Sequence, residues 1–281
     1  MGIRIIADSG CDILPAEAEK MGITILPLKV SFEGEEYLDG ATLSHEDFYL
    51  KLIESDTLPK TSQASPYEYE EFFEESVKAN DEVICITISS KLSGCYQSAN
   101  ISASDYEHVY LVDSENACAG ERILVEYAVR LRDQGVSCRE IIALLEEKKK
   151  HIRILGLLDT LEYLKKGGRI SSVAAAAGEL LSIKPVVTIE EGIISVVGKA
   201  RGSKNGNNLL NKIVEKDGGI DFTMPYCVSY TGLSDALIQK YLSDSSSIYE
   251  SMTNSIPIHT VGCAIGTHIG PGGIAVAYFK K

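Results

Sequence analysis

Short β-branched runs alternate with polar, capped stretches through the first half of the chain. Ile3 to Ile6, Ile23 to Phe32, Glu82 to Ile88 and His108 to Val112 read as strands, and Ile152 to Leu158 as another. Between them lie helical stretches: Pro15 to Met21, a segment opened by Ser44-His45-Glu46-Asp47, and one opened by Ser65-Pro66-Tyr67-Glu68. The last of these is a capping box with proline at the first helical position. Ser137-Cys138-Arg139-Glu140 caps a further helix that runs to Lys150. Strand and helix in alternation predict a mostly parallel α/β sheet. Phe32-Glu33-Gly34-Glu35-Glu36-Tyr37 reads as a hairpin inserted in that pattern.

The texture changes near Leu161 to Gly168, a short helix ended by glycine. Beyond it come an alanine-rich helix (Val173 to Leu181), a hairpin turning at Glu191-Gly192, two amphipathic helices and strand runs to the C-terminus. The expected architecture is therefore an N-terminal, mostly parallel α/β domain over residues 1–160 and a C-terminal α+β domain with a mixed or antiparallel sheet over residues 161–281.

Charge then narrows the partners. With 40 acidic against 27 basic residues the formal charge is −13, which argues against nucleic acid, whose binding begins with phosphate neutralisation. No apolar run approaches the ~20 residues of a membrane span, and MGIRIIADSG lacks a charged-then-apolar leader. We expect a cytoplasmic protein with at most transient membrane contact. Seven cysteines without a CxxC pair read as reduced, packed thiols, and five scattered histidines give no metal spacing, so neither metal nor cofactor is expected.

Four segments carry candidate chemistry. Thr61-Ser62-Gln63 precedes the capped helix at Ser65, where hydroxyls and helix N–H groups suit an anion, although capping is the ordinary use of such residues. Ser93-Gly94, in the loop after the strand ending at Ile88, presents a hydroxyl and an uncovered N–H, but Lys91 and Cys95 stand where a nucleophile elbow needs glycine. Five glycines within Gly262 to Gly273 surround His268, an available donor to a carboxylate. Lys165 to Ser171, with Arg201 as a companion, forms a basic spot in an acidic chain. The loops after the first strand (Asp8-Ser9), after Ile88 and after Val112 are expected to meet at the carboxyl edge of the sheet, where ligands of parallel sheets sit.

Taken in order, the blocks IADSGCDIL, TSQASP, ISSKLSGCYQSA, VDSENACAGE, LEYLKKGGRISS, LLSIKPV and GTHIGPGG resemble the DegV family, which includes the fatty acid-binding (FakB) subunits of bacterial fatty acid kinase. The resemblance spans nearly the whole chain. It implies one long-chain fatty acid, such as palmitate, stearate or oleate, bound between the two domains. The carboxylate would be held by Thr61, Ser62, Ser93 and His268, with Gly94, Gly266 and Thr267 in the same blocks, while the acyl chain enters an apolar tunnel. It further implies a carrier that catalyses nothing itself and presents the carboxylate to a separate ATP-dependent fatty acid kinase, with Arg169 and Arg201 near the head group or the docked kinase. Cys95 departs from the threonine often found in the LSGTY block. The rival reading is a hydrolase or phosphotransferase acting on a small carboxylate or phosphate, with Ser93 or Ser9, His268 and Asp8 as nucleophile, base and orienter. A third is a binder of some other hydrophobic carboxylate with no kinase partner.

Overall fold

In the computed structural model, which describes residues 2–170, 183–250, 252 and 255–281, the chain forms three sheets. Four parallel strands, β1 (Ile3–Asp8), β2 (Thr24–Leu26), β6 (Glu82–Thr87) and β7 (Val109–Asp113), are ordered β2-β1-β6-β7. The central runs are apolar on both faces because helices cover both: Ile5, Ile6, Val83, Ile84 and Ile86 are fully buried. Strand order reverses between β1 and β6, and the loops following them meet there as the sequence predicts. Ile88 N–H donates to Asp8 Oδ2 at 2.9 Å, Cys118 N–H to Gly10 O at 2.7 Å, and Ser89 N–H to Asn116 O at 2.8 Å.

One strand expectation needs correction. Ile23 to Phe32 is not one strand: it breaks at Pro27, which has no N–H to give, into β2 of the parallel sheet and β3 (Lys29–Phe32) of a separate sheet. That second sheet is antiparallel, ordered β4-β3-β5, with the expected Glu33-Gly34 hairpin joining β3 to β4 (Glu35–Leu38), and β5 (Lys60–Ser62) on the other side of β3. The expected strand from Ile152 to Leu158 forms as β8 (Ile152–Leu157). It is hydrogen-bonded in the middle of a six-stranded mixed sheet, β10-β9-β8-β13-β11-β12, completed by β9 (Ile183–Glu190), β10 (Ile193–Arg201), β11 (Cys227–Tyr230), β12 (Ile258–Thr260) and β13 (Ile274–Phe279). Its partners are remote in sequence, so local pattern carries no sign of them.

The expected mostly parallel N-terminal part and mixed C-terminal sheet are thus both present. The helices begin where their caps predict: Ser44, Ser65 and Ser137 precede His45–Glu54, Pro66–Lys78 and Cys138–Lys148. The hairpin turns at Glu191-Gly192. The alanine-rich stretch from Val173 to Leu181 lies outside the described residues. One face of the six-stranded sheet packs Leu155, Leu157, Val186, Val276 and Tyr278 against Leu210 and Val214 of helix Gly202–Lys216. The other face looks towards the parallel sheet and forms one wall of a cleft.

Candidate ligand-binding site

Period-two alternation decides which side chains enter that cleft. Register pairs Val187 with Gly156 and Gly156 with Ala275, so the three lie side by side, and all line a pocket together with Ile154, Leu158, Ile189 and Gly273. Facing them are Ile88, Ala117 and Cys118 from the loops of the parallel sheet, and Val261, Ala264, Ile265 and Ile269 from helix Cys263–Ile269 and its approach. The wall is almost wholly apolar over this length. Thr188 and Thr231, the polar exceptions, spend their hydroxyls on backbone: Thr188 Oγ1 donates to Ile154 O at 2.8 Å, and Thr231 Oγ1 accepts from Gly273 N–H at 2.7 Å.

Polarity gathers at one end. Thr61, Ser62 and Gln63 of β5 and its exit, Ser93 of the loop after β6, His268 and Arg169 all line the pocket there. Thr61 Oγ1 and His268 Nε2 lie 2.8 Å apart although 207 residues separate them. Burial lowers His268 to about 4, with the charge of Arg169 adding to the shift, so the imidazole is neutral at pH 7. With its proton on Nε2 it donates to Thr61 Oγ1, which leaves the hydroxyl hydrogen of Thr61 free for an anion. His268 Nδ1 is buried without a protein partner among the described residues, facing Gly167, where any Cβ would collide with it. Arg169 extends from the turn after helix Glu162–Lys166; its Nε donates to Leu92 O at 3.2 Å and its Nη1 to Gly167 O at 2.6 Å. Among the described residues it meets carbonyls and no carboxylate.

Not every sequence candidate belongs to this end. Thr267 is buried and donates to Cys263 O at 2.9 Å within its own helix, and Gly266 faces away from the pocket, packed so closely that a Cβ would stand 2.7 Å from Phe48 Cε1 and 2.8 Å from Tyr49 Oη. Gly94 does not line the pocket either; it makes room for Gln63, whose Nε2 donates to Ser98 Oγ at 2.9 Å. Arg201 is exposed at the end of β10 and outside the lining. Gln63, named in the sequence only as a neighbour of the hydroxyls, is a lining residue whose side chain reaches across to helix Cys95–Ala103. Cys95 lies buried beneath Ser93, its Sγ 3.1 Å from Ser93 Oγ, and burial pushes its thiol up to about 12.

Among the described residues the groups named for the hydrolytic alternative are not joined in a relay. Ser9 Oγ donates to Asp39 and accepts from Leu28 N–H, Asp8 accepts from Gly10 and Ile88 N–H groups, and His268 meets Thr61. Ser93 Oγ, the other nucleophile of that reading, meets Cys95 Sγ at 3.1 Å, and among the described residues neither serine is hydrogen-bonded to His268, nor His268 to Asp8. Among the described residues one trio has donor atoms close enough for a metal, Asp39, His45 and Cys263, mutually within 4.8 Å. Both Asp39 oxygens already accept from Ser9 and from the Cys263 and Ala264 N–H groups, so the trio serves the protein.

Comparison with known proteins follows the same outline. Residues 2–281 match a family model described as an uncharacterised protein of the DegV family. A DegV domain-containing protein of Caldanaerobacter subterraneus subsp. tengcongensis is 35% identical over 284 residues, covering 99% of each chain. Among solved structures, a fatty acid-binding DegV family protein from Thermus thermophilus superposes with a TM-score of 0.88 at 28% identity over 100% of both chains. A stearic acid-binding protein from Eubacterium ventriosum gives 0.86 at 28% over 99% of this chain and 98% of that one. The fatty acid kinase B3 protein of Streptococcus pneumoniae, loaded with linoleic acid, gives 0.85 at 25% over 100% of both. By sequence over its whole described length and by fold, the chain belongs to the DegV family.

Proposed function

We propose that this protein binds one long-chain fatty acid in the cleft between its parallel and mixed sheets, and presents the carboxylate to a separate ATP-dependent kinase in the bacterial cytoplasm. The observation that carries the reading is the division of the pocket: an apolar length closed by a cluster of donors at one end. Each buried CH₂ is worth about 0.8 kcal/mol, so a sixteen-carbon chain has ample driving force, less the costs of ordering. The carboxylate is the costly part, since an unpaired buried anion is prohibitive. Thr61, Ser62 and Ser93 would supply its hydrogen bonds, with His268 orienting the Thr61 hydroxyl towards it, and Arg169 a compensating charge. Solved relatives named for fatty acids, one of them a fatty acid kinase component, support the ligand and the partner. Arg201, exposed and outside the lining, is assigned to kinase docking.

Titration of delipidated protein with palmitate and with decanoate, read by displacement of a fluorescent fatty acid, tests this reading. Saturable one-site binding that strengthens with chain length supports it. Equal affinity for both lengths would remove the acyl tunnel from the account.

A further inference from the structure

Two side chains that take no place in the pocket lining connect its two polar walls. Helix Cys263–Ile269 carries His268 but begins with glycine at its N-cap, which offers its first N–H groups no side-chain acceptor of its own. The acceptors come from the other end of the sequence. Gly262 N–H donates to Asp12 Oδ1 at 2.8 Å, Cys263 N–H to Asp39 Oδ1 at 2.8 Å, and Ala264 N–H to Asp39 Oδ2 at 3.1 Å. Asp39 is 3% exposed and satisfies two of the three orphan donors with a single carboxylate. Tyr49 adds a bond to the same approach, its Oη donating to Val261 O at 3.1 Å.

The same carboxylate is tied to the strand that positions Thr61. Ser9 Oγ donates to Asp39 Oδ2 at 3.0 Å and accepts from Leu28 N–H at 3.0 Å, while Asp39 N–H donates back to Leu28 O at 2.9 Å. Leu28 immediately precedes β3, and β3 pairs Val30 with Thr61. A closed circuit results: Thr61 on its strand, Leu28, Ser9 and Asp39, the helix start, His268, and Thr61 again across 2.8 Å. We infer that the Ser9–Asp39 pair positions the Thr61–His268 contact, fixing the strand that holds the hydroxyl and the helix that holds the imidazole to one buried carboxylate. Asp39 and Ser9 are positioning residues; neither lines the pocket. Hydrogen-bonded donors must be held within fractions of an ångström to act together on one anion, and one buried carboxyl group bonded to both elements ties them more closely than separate bonds would.

The inference rests on the proposed carboxylate end, so its test separates the two. Palmitate and hexadecanol share a chain and differ in the head group. Asp39→Ala should weaken palmitate about tenfold and hexadecanol less than about threefold, and in a His268→Ala background it should change palmitate binding by less than about twofold, because the contact it positions is already gone. Ser9→Ala, which leaves the carboxylate on the helix, should act in the same direction by about threefold and remains informative if Asp39→Ala fails to fold. Equal losses for both ligands, or an Asp39 effect undiminished without His268, would make the pair a structural clamp only and overturn the inference. A readout without ligand accompanies these: the ¹⁵N resonances of His268, assigned against His268→Ala, should shift in Ser9→Ala. Unshifted resonances would also overturn the inference. Failure of the parent to bind palmitate would instead remove the proposed function and leave the positioning result standing on the resonances.

Discussion

Replacement of His268 by alanine tests the head-group end at its most defined contact. The imidazole lies 2.8 Å from Thr61 Oγ1, is largely buried, and is neutral because burial holds it near 4. Its loss removes the group that orients the Thr61 hydroxyl, so that hydroxyl is no longer held towards a carboxylate in a mostly apolar cleft. Leaving a buried polar group unsatisfied costs about 1 to 3 kcal/mol, or roughly 5-fold to 150-fold in affinity. Displacement of a fluorescent fatty acid measures it, and His268→Gln, which retains an N–H, should recover part of the loss. The sign with pH follows from the same burial. An unfolded histidine titrates near 6.5, so between about 4 and 6.5 the unfolded chain binds the extra proton and stability rises with pH; above 6.5 the residue contributes no slope. His268→Ala should therefore flatten the melting temperature against pH below 6.5 while weakening palmitate at pH 7.5. Parental affinity in the variant would refute the placement of the carboxylate.

Three further outcomes follow from individual contacts. Gly266→Ala should lower the melting temperature by several degrees in a thermal scan, because its Cβ meets two buried aromatic side chains, Phe48 and Tyr49, that have no room to yield; overpacking of this kind costs about 1 to 3 kcal/mol. Glu121 is fully buried with no protein partner for either oxygen among the described residues, and burial, reinforced by the nearby Asp8, pushes its carboxyl well above the usual range. Its contribution is thus present at low pH and lost as pH rises, and Glu121→Gln should match or exceed parental stability at pH 8; a lower melting temperature there would show that the charged form is held by something else. Arg201→Ala should leave palmitate affinity unchanged and reduce acyl phosphate formation by a cognate kinase with ATP, whereas lost affinity would make it a head-group ligand and unchanged turnover a solvated charge.

What the sequence discloses here depends on how far a signal must reach. Ser65 with Glu68 and Ser137 with Glu140 lie three residues apart, so both capping boxes are legible and both form. The hairpin turns at Glu33-Gly34 and Glu191-Gly192 are local for the same reason. The break at Pro27 escapes a reading by apolar pattern, and the chain beyond it is held by a bond from Leu28 N–H to Ser9 Oγ, nineteen residues away in sequence. The motif blocks hold His268 and Ser93, which line the pocket, beside Gly94, Gly266 and Thr267, which do not; adjacency in a motif does not say which face a residue presents. The apolar wall could not be named beforehand, since Val187, Gly156 and Ala275 become neighbours only through strand pairing. Asp39, bridged to Leu43 just after β4, carries no signal of its own, and its role joins Ser9, thirty residues before it, to Cys263 and Ala264, more than 200 residues on.

Native mass spectrometry of the protein as purified from a bacterial host, followed by extraction and identification of whatever dissociates, tests the central claim most directly. The account predicts a mass increment of one long-chain fatty acid per chain, lost on delipidation and restored by palmitate or oleate, with the melting temperature falling and recovering in step because only the native state binds the ligand. A chain that flies at its bare mass, gains nothing from either fatty acid and melts at the same temperature throughout would contradict it.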